Sequence, residues 1–369
     1  MKLVAGREAL YQGFARVGSV IGSSIQQPLY RNVKVQASGE ALWLSATDLE
    51  VSLTVRVPDV EVQEEGAALL PNARISPILG ATVDEKVAIR EDDGAVVVEA
   101  GESNFRILGE DPADFPDVPE LPGDGAVEVD PEVLRYMIRR TTFAAASEKG
   151  RYALNGVLFV IGPGDNIEMV AADGARLAQV QKKVSNPDGV QKEFIVMLKG
   201  VERLGHLASY GKEPVRFTAT ETQLIAENEV GRMACQLVEG QFPNYKEVIP
   251  TEFKVKAELP TVQLLSAVRR ASYVTVEEAK VVDFRFSEGS LTVLAEAADV
   301  GRAEIKVAAD YSGDDFQISL NPDYVEDMLA IVERESVKMR FIDRRSPCVI
   351  KSGVDYTYVI SPVIREEAE

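Results

Sequence analysis

One residue pattern occurs three times along this chain of 369 residues, and it limits the available folds more than any other feature. The middle copy, residues 151–178, alternates apolar and polar residues on both sides of the turn Gly162–Asp165, which is typical of a β-hairpin. Copies of this hairpin begin near Arg31 and Val281. The equivalent turn aspartates lie 125 and 126 residues apart: Asp48, Asp173 and Asp299. Such a period predicts repeated units in tandem, each with the same order of secondary-structure elements.

Each hairpin is preceded by one predicted helix and followed by another. The first helix of each copy carries a leucine followed six residues later by an arginine: Leu10 and Arg16, Leu134 and Arg140, Leu264 and Arg270. The second helix follows a strand and is expected near 74–79, 199–209 and 322–333, with Asn321 as an N-cap. Asp130 before Pro131 is a second predicted N-cap. The basic residues of these helices are expected to lie off the buried stripe.

These repeats predict three domains, at residues 1–122, 123–252 and 253–369, joined by short proline-containing links. The strands alternate cleanly, so we expect antiparallel sheets with one covered face, and a fold of the α+β class. Tightly joined modules of this kind would form a curved array. Their sheets could join edge to edge.

Composition excludes several classes of protein. No apolar run approaches the roughly 18 residues of a membrane span, and no signal-peptide core follows Met1, so a cytoplasmic protein is expected. Cys235 and Cys348 are single thiols far apart in sequence, which disfavours a disulfide framework. His206 is the only histidine, which disfavours histidine-metal clusters and Ser-His or Cys-His catalysis. We expect no metal, no cofactor and no catalytic residues.

The repeated aspartates have an alternative interpretation as carboxylate catalysts. An Asp at a fixed turn position usually accepts hydrogen bonds from nearby backbone N–H groups, so the turn role is preferred for Asp48, Asp173 and Asp299. A catalytic site would also rarely recur in every copy of a repeat.

The net charge of −19 opposes general adhesion to nucleic acid, which depends on Lys and Arg neutralising phosphates. Basic residues nevertheless cluster on or beside the helices of the middle copy: Arg135, Arg139, Arg140, Lys149, Arg151, Arg176, Lys199 and Arg203. A basic, helix-lined face would bind DNA weakly and on that face alone. The alternative, that these are merely solvated helix charges, stays equally open.

Seven segments spread over the chain carry a resemblance to one known family. They are MKLVAGREAL at 1–10, ATDLE at 46–50, GRYALNGVLF at 150–159, AADGARLA at 171–178, EGQFPNYKEVIP at 239–250, LNPDYVEDML at 320–329 and YVISPV at 358–363. In these residues and their spacing the chain resembles the bacterial sliding clamp family, the beta subunit of DNA polymerase III. Because seven motifs occur in order on a threefold repeat, the resemblance is specific and covers essentially the whole chain.

The resemblance implies a non-enzymatic processivity factor. Two copies would close head to tail into a ring around duplex DNA, with two helices per domain inside and the sheets outside. The ring would tether the replicative polymerase, and would recruit the clamp loader and repair polymerases through short linear peptides. The residues expected at the DNA are Arg74, Arg140, Lys149, Arg151, Tyr152, Arg176, Lys199 and Arg203.

The resemblance also implies a peptide pocket and a dimer interface. The pocket residues would be Leu154, Ala172, Gly174, Ala175, Leu177, Pro243, Val248, Asn321, Tyr324, Val359, Ser361 and Val363. The dimer contacts would be Phe105 and Ile107 in one domain and Tyr273 and Val274 in another. The main rival function is a repeat scaffold that binds proteins only.

Three positions depart from the usual family pattern. Ala172 and Ala175 replace a threonine and a histidine, which makes the pocket floor smaller and more apolar. Ser24 stands where the family usually has a basic residue. The acidic tail 364–369 extends past the usual end of the chain.

Overall fold

The computed structural model describes residues 1–22, 25–147, 153–276 and 280–364. Helices and antiparallel strands alternate along the described chain, which confirms the α+β class. The α-helices are α1 (Arg7–Gly18), α2 (Asn72–Ala81), α3 (Pro131–Thr141), α4 (Leu198–Tyr210), α5 (Tyr245–Val248), α6 (Thr261–Ser272) and α7 (Pro322–Ala330). Short 3-10 helices occupy Pro28–Arg31, Pro112–Asp114 and Thr142–Ala144.

The strands occur in groups between these helices. The first nine are β1 (Lys2–Gly6), β2 (Asn32–Ser38), β3 (Ala41–Thr47), β4 (Val51–Val57), β5 (Val60–Glu64), β6 (Gly66–Pro71), β7 (Lys86–Asp92), β8 (Ala95–Ala100) and β9 (Ser103–Leu108). The next eight are β10 (Val127–Val129), β11 (Gly156–Gly162), β12 (Asn166–Ala172), β13 (Arg176–Lys183), β14 (Lys192–Met197), β15 (Val215–Ala219), β16 (Gln223–Glu227) and β17 (Gly231–Gln236). The last eight are β18 (Val255–Pro260), β19 (Val282–Ser287), β20 (Ser290–Ala297), β21 (Gly301–Ala308), β22 (Phe316–Leu320), β23 (Ser336–Phe341), β24 (Cys348–Ser352) and β25 (Tyr356–Ile360).

The first of two compact units comprises Met1–Leu134, Ser185–Val190 and Lys199–Leu237. It contains a five-stranded sheet in the order β5-β1-β7-β8-β9 and an eight-stranded sheet in the order β10-β15-β16-β17-β4-β3-β2-β6. In the larger sheet β17 pairs with β4, with Gly231 opposite Val55. A side chain at Gly231 would collide with the carbonyl oxygen of Thr54, so glycine permits this close approach.

The second unit comprises Arg135–Val184, Gln191–Leu198 and Val238–Glu369. Its eight-stranded sheet has the order β14-β11-β12-β13-β25-β24-β23-β18, and its four-stranded sheet has the order β21-β20-β19-β22. In the larger sheet β13 pairs with β25, which places Leu177 opposite Val359. In both units, therefore, strands from two different sequence repeats form one continuous sheet. The prediction that the sheets join edge to edge is confirmed.

The helices follow the apolar spacing of the sequence. In α1 the residues Leu10, Phe14 and Val17 are fully buried, as their spacing predicts. The N-caps are also confirmed: Asp130 accepts hydrogen bonds from the N–H groups of Glu132 and Val133, and Asn321 accepts one from Asp323. The last helix ends at Ala330, three residues before the predicted end.

One helix residue contradicts the expected pattern of buried and exposed positions. Arg140 was expected on the polar side of α3, yet it is only 3% exposed. Its guanidinium lies 3.5 Å above the ring of Tyr136 and 5.9 Å from the ring of Tyr356. Two of its nitrogens, Nε and Nη1, have no hydrogen-bond partner among the described residues. The expectation of an exposed Arg140 is wrong because a cation stacked on aromatic faces can be buried with its apolar stem.

The two cysteines are free and buried. Burial raises the pKa of the Cys235 thiol to about 12, although the backbone at Leu224 acts in the opposite direction. Burial also raises the pKa of Cys348. Both thiols therefore stay protonated at neutral pH and pack as small apolar side chains.

Candidate functional site

An apolar cluster in the second unit brings together much of the predicted pocket. It is built where β11, β12 and β13 meet β24 and β25, and where the segment 242–249 crosses them. Its buried members are Ala153, Leu158, Val170, Ala172, Leu177, Ile195, Phe242, Tyr245, Val349 and Val359. Leu154, Val160, Val238, Ile249 and Phe253 are partly buried against them.

Five of the predicted pocket residues show how the surface of this cluster is formed. Ala172, Leu177 and Val359 lie in the buried floor, and Leu177 is only 4% exposed. Val248 is 47% exposed, so it offers an aliphatic side chain to the solvent. Gly174 has a φ of 97° and nothing within 4 Å of the place a Cβ would take. The turn beside the floor is therefore open, and only glycine adopts this backbone readily.

Arg176 binds together the margin of the cluster. Its Nε donates to Asp173, its Nη1 donates to Asp327 on α7, and its Nη2 donates to the carbonyl oxygen of Phe143 at 2.9 Å. The guanidinium also lies 4.5 Å from the ring centre of Tyr324. Burial disfavours the charged guanidinium, but the hydrogen bonds to Asp327 and Asp173 raise its pKa. The group is thus permanently charged and fully engaged.

The end of the described chain is held beside the same margin. The N–H of Ser361 donates to the carbonyl oxygen of Ala175, and the N–H of Val363 donates to Ser319, both at 2.9 Å. The hydroxyl of Tyr358 donates to the carbonyl oxygen of Tyr324. Pro243 is half-buried beside Phe242. All twelve predicted pocket residues belong to the second unit.

Phe242 and Tyr245 belong to the cluster but were not assigned to the pocket by sequence reasoning. Both lie in the segment EGQFPNYKEVIP, so the repeated closing motif was the signal that could have identified them. The Tyr245 ring packs edge-on to Phe242, with 6.4 Å between centroids. Burial is the main cause that raises the pKa of the Tyr245 hydroxyl, and the neighbouring Glu168 raises it further. That hydroxyl therefore stays neutral at physiological pH.

The residues expected at the DNA have varied surroundings. Arg74 is exposed on α2. Lys199 pairs with Asp48, and its Nζ lies 3.7 Å from Glu50. Burial and the neighbouring Arg203 lower the pKa of Lys199. Arg203 is half-buried, with Nη1 at 3.1 Å from Nδ1 of His206. Burial and then Arg203 lower the pKa of that imidazole.

Arg140 and Arg176 are held inside the protein rather than on an open basic surface. Several predicted positions lie outside the described residues: Lys149, Arg151, Tyr152, Ser24 and 365–369.

The turn aspartates behave as backbone acceptors. Asp48 accepts from the N–H groups of Glu50 and Val51, and Asp173 accepts from those of Ala175 and Arg176. The predicted turn role is confirmed for these two residues. Within the described ranges no group of three His, Cys, Asp or Glu side chains is placed to hold a metal ion. No helix in that part of the chain is long and apolar enough to cross a bilayer.

The predicted dimer residues lie near strand edges and helix ends. Phe105 and Ile107 are half-buried on β9, which is the last strand of the five-stranded sheet. Tyr273 follows α6 and is 80% exposed, and Val274 is half-buried beside it. β21 is one of the two edge strands of the four-stranded sheet in the second unit. Edge strands expose unpaired backbone groups that can bind another strand.

Comparison with known proteins agrees with the motifs and the fold. Family models for the N-terminal, central and C-terminal domains of the DNA polymerase III beta subunit match residues 1–119, 128–244 and 246–363. A beta sliding clamp of Chlamydia muridarum is 29% identical and covers 98% of this chain and 99% of its own length. That of Escherichia coli K12 is 28% identical over 98% of this chain and all of its own.

Solved structures give the same result. The DNA polymerase III subunit beta from Pseudomonas aeruginosa is 29% identical with a TM-score of 0.93, covering 98% of this chain and 100% of that one. A sliding clamp from the same organism bound to griselimycin is 28% identical with a TM-score of 0.94, covering 99% and 100%. The resemblance seen in the seven motifs is thereby confirmed, and the chain belongs to the family of DNA polymerase III beta subunits, the bacterial beta sliding clamps.

Proposed function

We propose that this chain is a DNA sliding clamp, a ring that encircles duplex DNA, tethers the replicative polymerase and makes synthesis processive. The observation that carries this proposal is the match of three clamp-domain models, in order, over nearly the whole chain. The role is not enzymatic, in keeping with the engagement of Asp48 and Asp173 by backbone N–H groups. A replication clamp acts at the chromosome, so we place it in the bacterial cytoplasm.

The distribution of charge on the helices supports weak, sequence-independent DNA contact. The six helices of nine or more residues carry ten basic and six acidic residues, in a chain whose net charge is −19. Arg74 on α2 and Arg269 and Arg270 on α6 are exposed. A mobile clamp needs such diffuse phosphate contacts, because tight base contacts would stop it sliding. The eight residues predicted at the DNA stay a proposal, with Arg140 and Arg176 the weakest candidates.

A ring closed by two copies would join unlike edges head to tail. The edge strands β9 and β21 lie in different units, and among the described residues each pairs with a strand on one side only. A heterologous contact between unlike surfaces closes when the rotation between copies is right. We therefore propose a homodimer in which β9 of each copy, with Phe105 and Ile107, contacts the region of Tyr273 and Val274 of the other.

Partner proteins are proposed to bind at the apolar cluster of the second unit. Ala172, Leu177 and Val359 form a floor, and the exposed Val248 and the half-buried Pro243 provide an aliphatic edge. A linear peptide needs a few buried apolar anchors to offset its ordering entropy. Polymerase, clamp loader and repair polymerases are the proposed partners. The griselimycin-bound Pseudomonas clamp supports the presence of a ligand site in this family.

The decisive experiment uses DNA topology. The purified protein is loaded onto nicked circular DNA and passed through a sizing column, before and after the circle is cut once. A clamp stays with the circle and leaves the linear molecule, whereas a scaffold that binds proteins only is retained by neither. Phe105→Arg should yield monomers in sedimentation and lose retention on the circle, while Val83→Arg, at a side chain 93% exposed, should preserve both.

A further inference from the structure

A cavity of about 660 Å³ lies in the first unit, whereas the apolar cluster described above belongs to the second. Its floor is one face of the eight-stranded sheet, where Ser45 on β3 faces Thr54 on β4 and Thr54 faces Arg232 on β17. The other face of the same strands carries Leu44 and Val57, which pack close to Gly13 of α1. The volume falls within the range of small-ligand and peptide sites.

One wall of the cavity is the segment that follows Phe115. Asp117 pairs with Lys34 at 2.7 Å, and Glu120 lies 3.5 Å from the Arg232 guanidinium. Between them Val118 packs on Ile225 and Ala234. The segment is therefore held against the sheet by one apolar contact flanked by two ion pairs. Asp117 and Glu120 remain 86% and 88% exposed, so a ligand can reach each carboxylate beside its partner cation.

This wall has a counterpart in the second unit. The residues DFPDVPEL at 114–121 correspond in the repeat to QFPNYKEV at 241–248. In the first unit Ala234 on β17 pairs with Ile225 on one side and with Ser52 on the other. In the second unit Val359 on β25 holds the equivalent position, between Val349 and Leu177. The apolar Leu177 of one unit is thus matched by the hydroxyl of Ser52 in the other. The segment 241–248 therefore lies beside an apolar surface of the eight-stranded sheet in the second unit, and the segment 114–121 lies beside a polar cavity on the equivalent sheet in the first.

The lining of the cavity indicates the chemistry of its occupant. It carries three carboxylates, those of Asp117, Glu120 and Glu227, and the guanidinium of Arg232, among serine, threonine and amide side chains. The half-buried ring of Trp43 adds an aromatic face. Aromatic faces and carboxylates both attract cations. The Arg232 side chain is 25% exposed, so its guanidinium can also donate to a carbonyl oxygen of a ligand.

We propose that this cavity binds a linear peptide segment of a partner protein that carries an arginine or lysine side chain. The cationic group lies against Trp43 and the carboxylates of Asp117 and Glu120, and a peptide carbonyl accepts from Arg232. The site is separate from the apolar pocket and selects the opposite kind of peptide. Its failure would leave the clamp function itself untouched.

Trp43 is the only tryptophan in the chain, so its fluorescence reports on this cavity without a label. The full-length protein is titrated with the capped pentapeptide Gly-Ser-Arg-Ser-Gly and, separately, with the same peptide containing Glu in place of Arg. We expect a saturable change in emission with the arginine peptide and none with the glutamate peptide. Glu120→Lys should lower the affinity for the arginine peptide at least tenfold. Glu221→Lys, the same change at an exposed turn in the same unit, should leave that affinity unchanged.

Three results would overturn the proposal: no saturable response to the arginine peptide, an equal response to both peptides, or unchanged affinity in the Glu120→Lys protein. Urea unfolding of both variants shows whether they are folded, and both substitutions are at exposed residues. A hydrophobic pentapeptide serves as a further control. It should bind in calorimetry without changing Trp43 emission, and a Trp43 response to it would also count against a separate cationic site.

Discussion

Arg176 and Asp327 form an ion pair, Nη1 to Oδ2 at 2.5 Å, although 151 residues separate them in sequence. Arg176 begins β13 and Asp327 lies on α7, so the pair ties the turn beside the apolar cluster to the helix at its margin. Asp173 and the carbonyl oxygen of Phe143 occupy the remaining nitrogens. A single side chain therefore fixes three separate pieces of backbone around the proposed pocket.

Replacing Arg176 by lysine keeps the charge but removes this geometry. An ammonium cannot satisfy three acceptors arranged around a planar guanidinium, so we expect Arg176→Lys to lower the free energy of unfolding by about 2 kcal/mol. Urea denaturation measures the loss. Arg139→Lys is the matched control, because Arg139 pairs only at the exposed surface with Glu333, and it should change stability by less than about 0.5 kcal/mol. Equal losses in the two variants would contradict the prediction.

Peptide binding is best tested at Val248. Leu177 is buried, so an aspartate there would destabilise the apolar cluster itself, and a loss of binding would not report on the peptide contact alone. Val248 is about half exposed, so it can be changed without disturbing the buried cluster. Val248→Asp should lower the affinity for a hydrophobic pentapeptide from a replicative polymerase at least tenfold, because losing one aliphatic contact costs roughly 1.5 to 3 kcal/mol. Calorimetry gives the affinity. Val354→Asp, at a fully exposed turn of the same unit, should bind as the parent does, and normal binding by Val248→Asp would place the site elsewhere.

DNA contact is tested with residues that are available to a phosphate. Arg140 is buried, so its replacement would report on packing rather than on DNA. We expect Arg74→Ala with Arg203→Ala to lower the slope of log affinity against log salt by about 1.8, at about 0.9 for each phosphate contact. Lys254→Ala with Lys256→Ala, at exposed positions around the start of β18, is the control with an equal change of charge. An unchanged slope in the helix variant would remove these two residues from the DNA surface.

Acid should weaken one partly buried junction in the second unit, formed by Asp355, Tyr136 and Lys182. Asp355 accepts from the hydroxyl of Tyr136 at 2.8 Å and pairs with Lys182 at 2.5 Å. Burial alone would raise the pKa of Asp355, but these two partners outweigh it and hold the pKa below its ordinary value. A lowered carboxyl pKa stabilises the fold above the unfolded value of about 3.9, and that contribution disappears as the pH falls through the folded value.

Asp355→Asn should therefore cost about 1 to 2 kcal/mol at pH 7, and the difference from the parent should shrink below about pH 4. Urea unfolding across that range tests both statements. Asp124→Asn, at an exposed link residue, should be neutral throughout. A cost for Asp355→Asn that does not change with pH would show that packing, rather than charge, holds the junction.

The periodicity of apolar residues in the sequence was sufficient to predict the helices and the threefold repeat. Leu10, Phe14 and Val17 recur at helical spacing, and a buried face needs only that spacing to be recognised. The joined sheets could be anticipated from three similar modules with short links. The domain boundaries stay predictions, because compactness divides the chain differently: strands of the middle repeat pair with strands of both neighbours.

Contacts between distant residues could not be predicted in this way. Arg140 occupies a polar position on α3, yet it is buried, and one of the rings beside it, Tyr356, comes from another repeat. The partners of Arg176 and Lys199 are likewise supplied by distant segments. Spacing along one helix contains no information about which aromatic or acidic side chain will cover it. The polar cavity beside Trp43 was missed for the same reason.

The pairing of β17 with β4 and of β13 with β25 decides how this protein can be divided. Cutting at the boundaries of the sequence repeats would split each eight-stranded sheet between two central strands and leave long unpaired edges on every fragment. The compact units cannot be excised either, because each is assembled from three separate stretches of chain. A fragment of one repeat is therefore expected to aggregate, and the full chain is the smallest piece that folds with all of its strands paired as they are here.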